Sequence, residues 1–123
     1  MKLPNGTLEL ALSQAKKSPM NHKHGAVLWK GKLILAAGYN YHMSAPGVNS
    51  RKFSIHSERD CLSGLRIQQI YGSCMLAVRI TSSGNLSHGA PCKGCKKLLK
   101  RKGVKKVFWF DSDKNLNCTR LNS

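Results

Sequence analysis

The feature that most constrains this chain is a residue set split between two segments: His56-Ser57-Glu58, then 32 residues, then Pro91-Cys92-Lys93-Gly94-Cys95. Two cysteines three apart share one face if they open a helix, where the free N–H groups and the helix dipole favour thiolates, the metal-binding form. His56, at the start of a second helix, adds a third donor if the two helix starts converge, and the fourth tetrahedral position then stays open for water. Any fold of this chain must therefore bring those two starts together. A Cys-x-x-Cys by itself reads equally as a structural half-site or a redox pair. Glu58 separates the cases, because a carboxylate two positions from the histidine can move protons beside a metal-bound water without ligating the metal.

The intervening pattern reads as alternating helices and strands. A first helix is expected over about Leu8 to Lys17, capped by Thr7 or Asn5, with Leu8, Ala11, Leu12 and Ala15 as its apolar stripe. Gly25 to Trp29 and Leu33 to Ala37 are apolar runs joined by Lys30-Gly31-Lys32, a hairpin with Gly31 at the turn. The stretch from Asn40 to Lys52 reads as a loop bordering a site. Ser54 is expected to cap a long helix over about Ile55 to Tyr71, with His56 in its first turn and Gly72 just past its end. Met75 to Ile80 reads as a strand, and Cys92 to Lys102 as a helix that begins at Pro91 and stops at Gly103. Val107 to Phe110 is a further strand, and residues around Asn117 to Leu121 return beside it. The order is α-β-β-α-β-α-β with a final β, an α/β domain with helices packed over one sheet.

At 123 residues the chain is expected to form one domain spanning 1–123, with no apolar run long enough to span a bilayer. Met1-Lys2-Leu3-Pro4-Asn5-Gly6 lacks the apolar core of a secretory signal, and five cysteines leave one unpaired in any full disulfide scheme, so a reducing, intracellular location is expected. Cys61 and Cys74 read as buried filler and Cys118 as a strand residue. His22, His24 and His88 have no cysteine or carboxylate partners at ligand spacing and read as surface or loop residues.

His56-x-Glu58 followed by Pro91-Cys92-x-x-Cys95 resembles the H-x-E…P-C-x-x-C signature of the cytidine deaminase-like superfamily. The likeness extends to Gly25-Ala-Val ahead of the hairpin, Gly38-Tyr-Asn40 closing the second strand, and the order of elements. Gly84 to Cys92 with Gly103-Val-Lys-Lys-Val107 is similar to small deaminases of viruses and phages. The resemblance implies a three-layer sandwich with a mixed sheet of about five strands and helices on both faces. It implies zinc held by His56, Cys92 and Cys95, and hydroxide attack on C4 of cytosine or C6 of adenine, with Glu58 protonating the ring nitrogen and the departing amine. It also implies that Asn40, Ser57 and Pro91 contact the substrate, and that copies of the chain associate. Ser57 stands where relatives commonly have a small apolar residue, and Ala90 where many have Glu or Ser, so the base is left open.

Charge bears on the partner. The chain carries 21 Lys+Arg against 5 Asp+Glu, a net +16, enough to attract a polyanion at physiological ionic strength. Lys93, Lys97, Lys100 and Arg101 fall on one face of the expected ligand-bearing helix, with Arg51 and Lys52 as a second strip and Tyr39, Tyr41 or Phe53 as stacking candidates. Trp29, Phe108, Trp109 and Phe110 read as core. The expectation is deamination of cytosine in single-stranded DNA or RNA or in cytidine nucleotides. Adenine deamination in RNA or tRNA, and a catalytically idle zinc-containing nucleic-acid binder, are the alternatives.

Overall fold

The structure, a computed structural model, describes residues 3–44 and 52–121. Its elements in chain order are α1 (Thr7–Lys17), β1 (Lys23–Lys30), β2 (Leu33–Tyr39), β3 (Tyr41–Ser44), β4 (Lys52–Ile55) and α2 (Ser57–Leu62). They continue with α3 (Ile67–Ile70), β5 (Cys74–Ile80), β6 (Leu86–Ser87), α4 (Lys93–Lys102), β7 (Lys106–Phe110) and β8 (Leu116–Arg120). The main sheet runs β2-β1-β5-β7-β8, with β6 also paired to β5. The β5–β7 pair, joined through α4, is parallel, and the other pairs are antiparallel, so the sheet is mixed.

Successive strand residues point to opposite faces, and both faces here are apolar. Val27, Trp29, Leu76, Val78, Ile80 and Phe108 pack with Ala11 and Ala15 of α1. Ala26, Leu28, Met75 and Val107 pack on the other face with Cys61 and Leu62 of α2 and with Leu98 and Leu99 of α4. The result is the expected three layers. Burial of each such Val, Leu or Met side chain contributes about 1.5–3 kcal/mol.

Two glycines set how closely the layers approach. A Cβ on Gly25 would lie 2.7 Å from the Ala15 backbone nitrogen of α1, and one on Gly38 would lie 2.7 Å from the Cys61 backbone nitrogen of α2. Helix backbone rests directly on strand backbone at both points. The expected hairpin forms with Gly31 at its turn, at φ 62, and the turn is two residues long, between the paired Lys30 and Leu33.

The long helix expected over Ile55 to Tyr71 does not form. Ile55 ends β4, paired with Tyr41 of β3, so Ser54 lies in a strand and not at a helix start. Gly64 at φ 82 breaks the remainder into α2 and α3, and Gln69 Oε1 accepts the Arg66 N–H at 2.8 Å to start α3. The apolar periodicity was continuous through the break because both pieces cover the same core. The expected loop from Asn40 to Lys52 likewise contains β3 and β4. Its central residues, Arg51 among them, lie outside the described residues, as does the side chain of Lys52. At the first helix, Gly6 in a left-handed conformation takes the cap position in place of Asn5 or Thr7.

Candidate metal and catalytic centre

α2 and α4 begin side by side. His56 is the N-cap of α2, with extended backbone at φ −74 and ψ 151, and Cys92 is the N-cap of α4. Both were expected inside the first turn rather than at the cap. Pro91 precedes the cap, and Cys92 Sγ takes the place of a capping oxygen by accepting the Cys95 N–H at 3.4 Å. Cys95, one turn along, is buried against the sheet.

The donor atoms of His56, Cys92 and Cys95 lie within 4.8 Å of one another. His56 Nδ1 is 3.1 Å from Cys95 Sγ and 3.6 Å from Cys92 Sγ. Tetrahedral zinc, with its usual bond lengths to nitrogen and thiolate, requires N···S separations of about 3.6 Å. The three donors fit such an ion in number, type and spacing. Burial, and then the Glu58 carboxylate, push the Cys95 thiol well above the ordinary thiol range. Two thiolates beside a carboxylate need a cation among them, and this donor set would hold one.

Glu58, in the first turn of α2, is 5% exposed and is not among the three donors. Its Oε1 accepts the hydroxyl of Ser57, itself fully buried, at 2.6 Å, which fixes the plane of the carboxylate. α2 is anchored to the sheet by Asp60, whose Oδ2 accepts the Tyr39 N–H at 3.1 Å. A cavity of about 300 Å³ opens beside this group, lined by Met20, His22, His24 and Asn40 from one part of the fold and by His56, Ser57, Glu58, Ala90 and Cys92 from the other.

The structure thus gathers His56, Ser57, Glu58 and Cys92 on one cavity with Asn40, while Cys95 sits behind and Pro91 is buried beside it. The Asn40 side chain is engaged with the chain ahead of it. Its Oδ1 accepts the His24 N–H at 2.8 Å, and its Nδ2 donates to the His22 carbonyl at 2.7 Å. His22 and His24, read from sequence as surface or loop residues, line the cavity. His22 is exposed in the bend before β1, as read, and His24 alone lies in the strand. Burial is the first cause holding the His24 imidazole below its ordinary pKa, with Glu58 opposing. His88 instead meets Trp109 edge-on, with ring centroids 5.2 Å apart.

Lys93, Lys97, Lys100 and Arg101 are exposed along α4, whose buried side is Cys95, Leu98 and Leu99. Tyr39 and Tyr41 meet each other edge-on at 6.0 Å and are not part of the cavity lining. Trp29 and Phe108 are core, 5.6 Å apart. Trp109 and Phe110 are half-buried, and Cys61, Cys74 and Cys118 are free thiols. Among the described residues no helix is long and apolar enough to cross a membrane.

No family model and no curated protein matches the sequence. Solved structures do match the fold. A cytidine deaminase from Burkholderia pseudomallei gives a TM-score of 0.70 at 20% identity, covering 98% of this chain and 94% of its own. The dCMP deaminase of cyanophage S-TIM5, solved also in complex with dCMP and dUMP, gives 0.54 at 23% identity over 89% of this chain and 85% of its own. A cytidine deaminase from Mycobacterium tuberculosis gives 0.60 at 15% identity over 95% and 89%. The chain has the cytidine deaminase-like fold.

Proposed function

We propose that this protein is a zinc-dependent deaminase that converts cytosine to uracil, acting on single-stranded DNA or RNA in preference to free cytidine nucleotides. The observation that carries the reading is Glu58: a buried carboxylate on the cavity wall, beside three metal donors and not one of them. A purely structural metal site has no use for such a group. His56, Cys92 and Cys95 would hold the ion, which when bound supplies a water acidified to a pKa of about 7 as nucleophile.

The chain's own residues do the rest. Glu58 takes the proton lost by the water as the C4–O bond forms and delivers it to ring N3 of the base; it then takes the proton of the new C4 hydroxyl and gives it to the amine, whose C4–N bond breaks to release ammonia. Ser57 Oγ holds Oε1 so that the carboxylate keeps one orientation through these transfers. Asn40 and Ser57, which line the cavity, would border the base and sugar, with Pro91 next to the lining residue Cys92. A cavity of about 300 Å³ is at the small end of ligand sites and suits one nucleotide.

The polymer reading is supported by α4. Lys93 follows Cys92 directly, so phosphates flanking a base in the cavity pass the start of this helix. Cations there oppose the helix dipole, and Lys93 with Lys97, and Lys97 with Arg101, repel at i,i+4 spacing. With five acids in the whole chain, at least sixteen of its 21 basic residues have no acidic partner to themselves. A face that costs helix stability is well suited to a polyanion.

The test is ammonia release from cytidine, dCMP, single-stranded DNA, RNA and tRNA at low and high salt, on protein of measured zinc content. Turnover of a polymer should fall with salt, steepening by about 0.7 log units per log unit of salt for each phosphate neutralised. Activity on nucleotides alone would overturn the polymer reading, and ammonia from adenine alone would overturn cytosine.

A further inference from the structure

The cavity wall contains His22 and His24, which the proposed proton transfers do not use. His24 lies in β1, and Arg79 in β5 is its cross-strand partner. Residues paired in this way leave a sheet on the same face, and for this pair it is the face on which Ala26 and Met75 meet α2 and α4. Arg79 Nη2 lies 2.7 Å from His22 Nδ1. A guanidinium only donates, so Nδ1 accepts and the His22 N–H is on Nε2. Among the described residues Arg79 donates to no carboxylate, and a guanidinium has five N–H donors, of which His22 uses one.

The arrangement is held from behind. Asn40 bonds the backbone of both His22 and His24, and its own carbonyl accepts the buried Ser18 hydroxyl at 2.9 Å. A guanidinium with spare, forked donors, held by hydrogen bond to an imidazole that lines a cavity of about 300 Å³, is suited to phosphate oxygens.

We propose that Arg79, held by His22 whose backbone Asn40 fixes, forms a phosphate subsite that takes a phosphate attached to the nucleotide whose base enters the cavity. The subsite rests on the nucleotide-pocket reading above. It makes the pocket selective for nucleotides over nucleosides, independently of the lysines on α4.

The experiment compares dCMP, deoxycytidine and a short single strand with one cytosine, on zinc-loaded wild-type protein and Arg79→Gln. Loss of a charge-assisted phosphate contact should lower kcat/KM about 10- to 100-fold on a phosphorylated substrate, with less than about threefold change on deoxycytidine. Loss on dCMP assigns the subsite to a terminal phosphate, and loss on the strand alone to a phosphodiester. Arg79→Lys keeps the charge without the fork and should recover part of the rate. Equal loss on deoxycytidine, or no loss on either phosphorylated substrate, overturns the proposal.

Binding is read separately from turnover by following the His22 and His24 imidazole resonances on addition of inorganic phosphate, of dCMP and of the short single strand. Saturable shifts that Arg79→Gln or His22→Gln abolishes support the subsite even if no substrate releases ammonia, a result that would sink the deaminase reading alone. Absence of any saturable shift sinks the subsite.

Discussion

Gly38→Ala should damage both the fold and the site, through one contact. The added Cβ would lie 2.7 Å from Asp60 Oδ2 and 2.7 Å from the Cys61 backbone nitrogen, whereas ordinary contact begins at 3.4 Å. Asp60 can swing aside by giving up its bond to the Tyr39 N–H, but the Cys61 nitrogen moves only if α2 moves. The helix must retreat by about 0.7 Å to reach ordinary van der Waals distance. α2 is six residues long, with His56 as its cap and Glu58 in its first turn, so both travel with it. Overpacking of this kind costs about 1–3 kcal/mol, and at about 4 °C per kcal/mol the Tm should fall by about 4–12 °C. A shift approaching 1 Å at a reacting group costs about 100-fold in rate, so activity should fall further than stability explains. The assay is thermal denaturation, zinc content and ammonia release well below the variant's Tm. Gly94→Ala is the control: nothing lies within 4 Å of its added Cβ, and it should be neutral or gain up to about 1 kcal/mol of helix propensity. If Gly38→Ala keeps the wild-type Tm, zinc content and rate, the direct seating of α2 on β2 is wrong.

Two further outcomes follow from the same structure. Cys95→Ser replaces a buried soft donor and should leave the purified protein largely free of zinc, and chelation of the wild type should lower its Tm, since an ion at 1,000 times its Kd stabilises by about 4 kcal/mol. A Tm indifferent to zinc would contradict the three-donor site. His24 has a folded pKa below its ordinary value of 6.5, chiefly through burial. The unfolded chain therefore takes the proton more readily, so stability is intact above pH 6.5 and is lost as pH falls below it. His24→Gln should flatten that part of a denaturation-versus-pH curve, and an unchanged slope would show that His24 is not the group responsible.

Much of the main sheet could be read from the sequence because its long strands each have one strong signal, whereas β3, β4 and β6 have none. Gly31 between two apolar runs marks the hairpin, and the apolar block at Met75 to Ile80 is a strand with both faces covered. Cys92 and Cys95 come together with His56 because all three stand at helix starts, which is a local property. The break in the expected long helix was hidden because Leu62 and Ile70 keep an apolar face across it, and only the left-handed Gly64 divides it. The cavity-lining roles of His22 and His24 depend on which face of β1 meets α2, and on Asn40 reaching back to their backbone. Both are tertiary facts with no short-range spacing. Arg79 joins them only through strand register, which apolar patterning over Met75 to Ile80 does not specify.

The most direct test of the account is Glu58→Gln, which keeps the size of the side chain and removes its ability to carry the proton. Zinc content should match wild type, because Glu58 is not one of the donors, and the Tm should stay close to it. Ammonia release from every cytosine substrate should fall by at least about 100-fold, the contribution expected of a general acid–base group. Undiminished ammonia release by a zinc-replete Glu58→Gln protein would contradict the central claim.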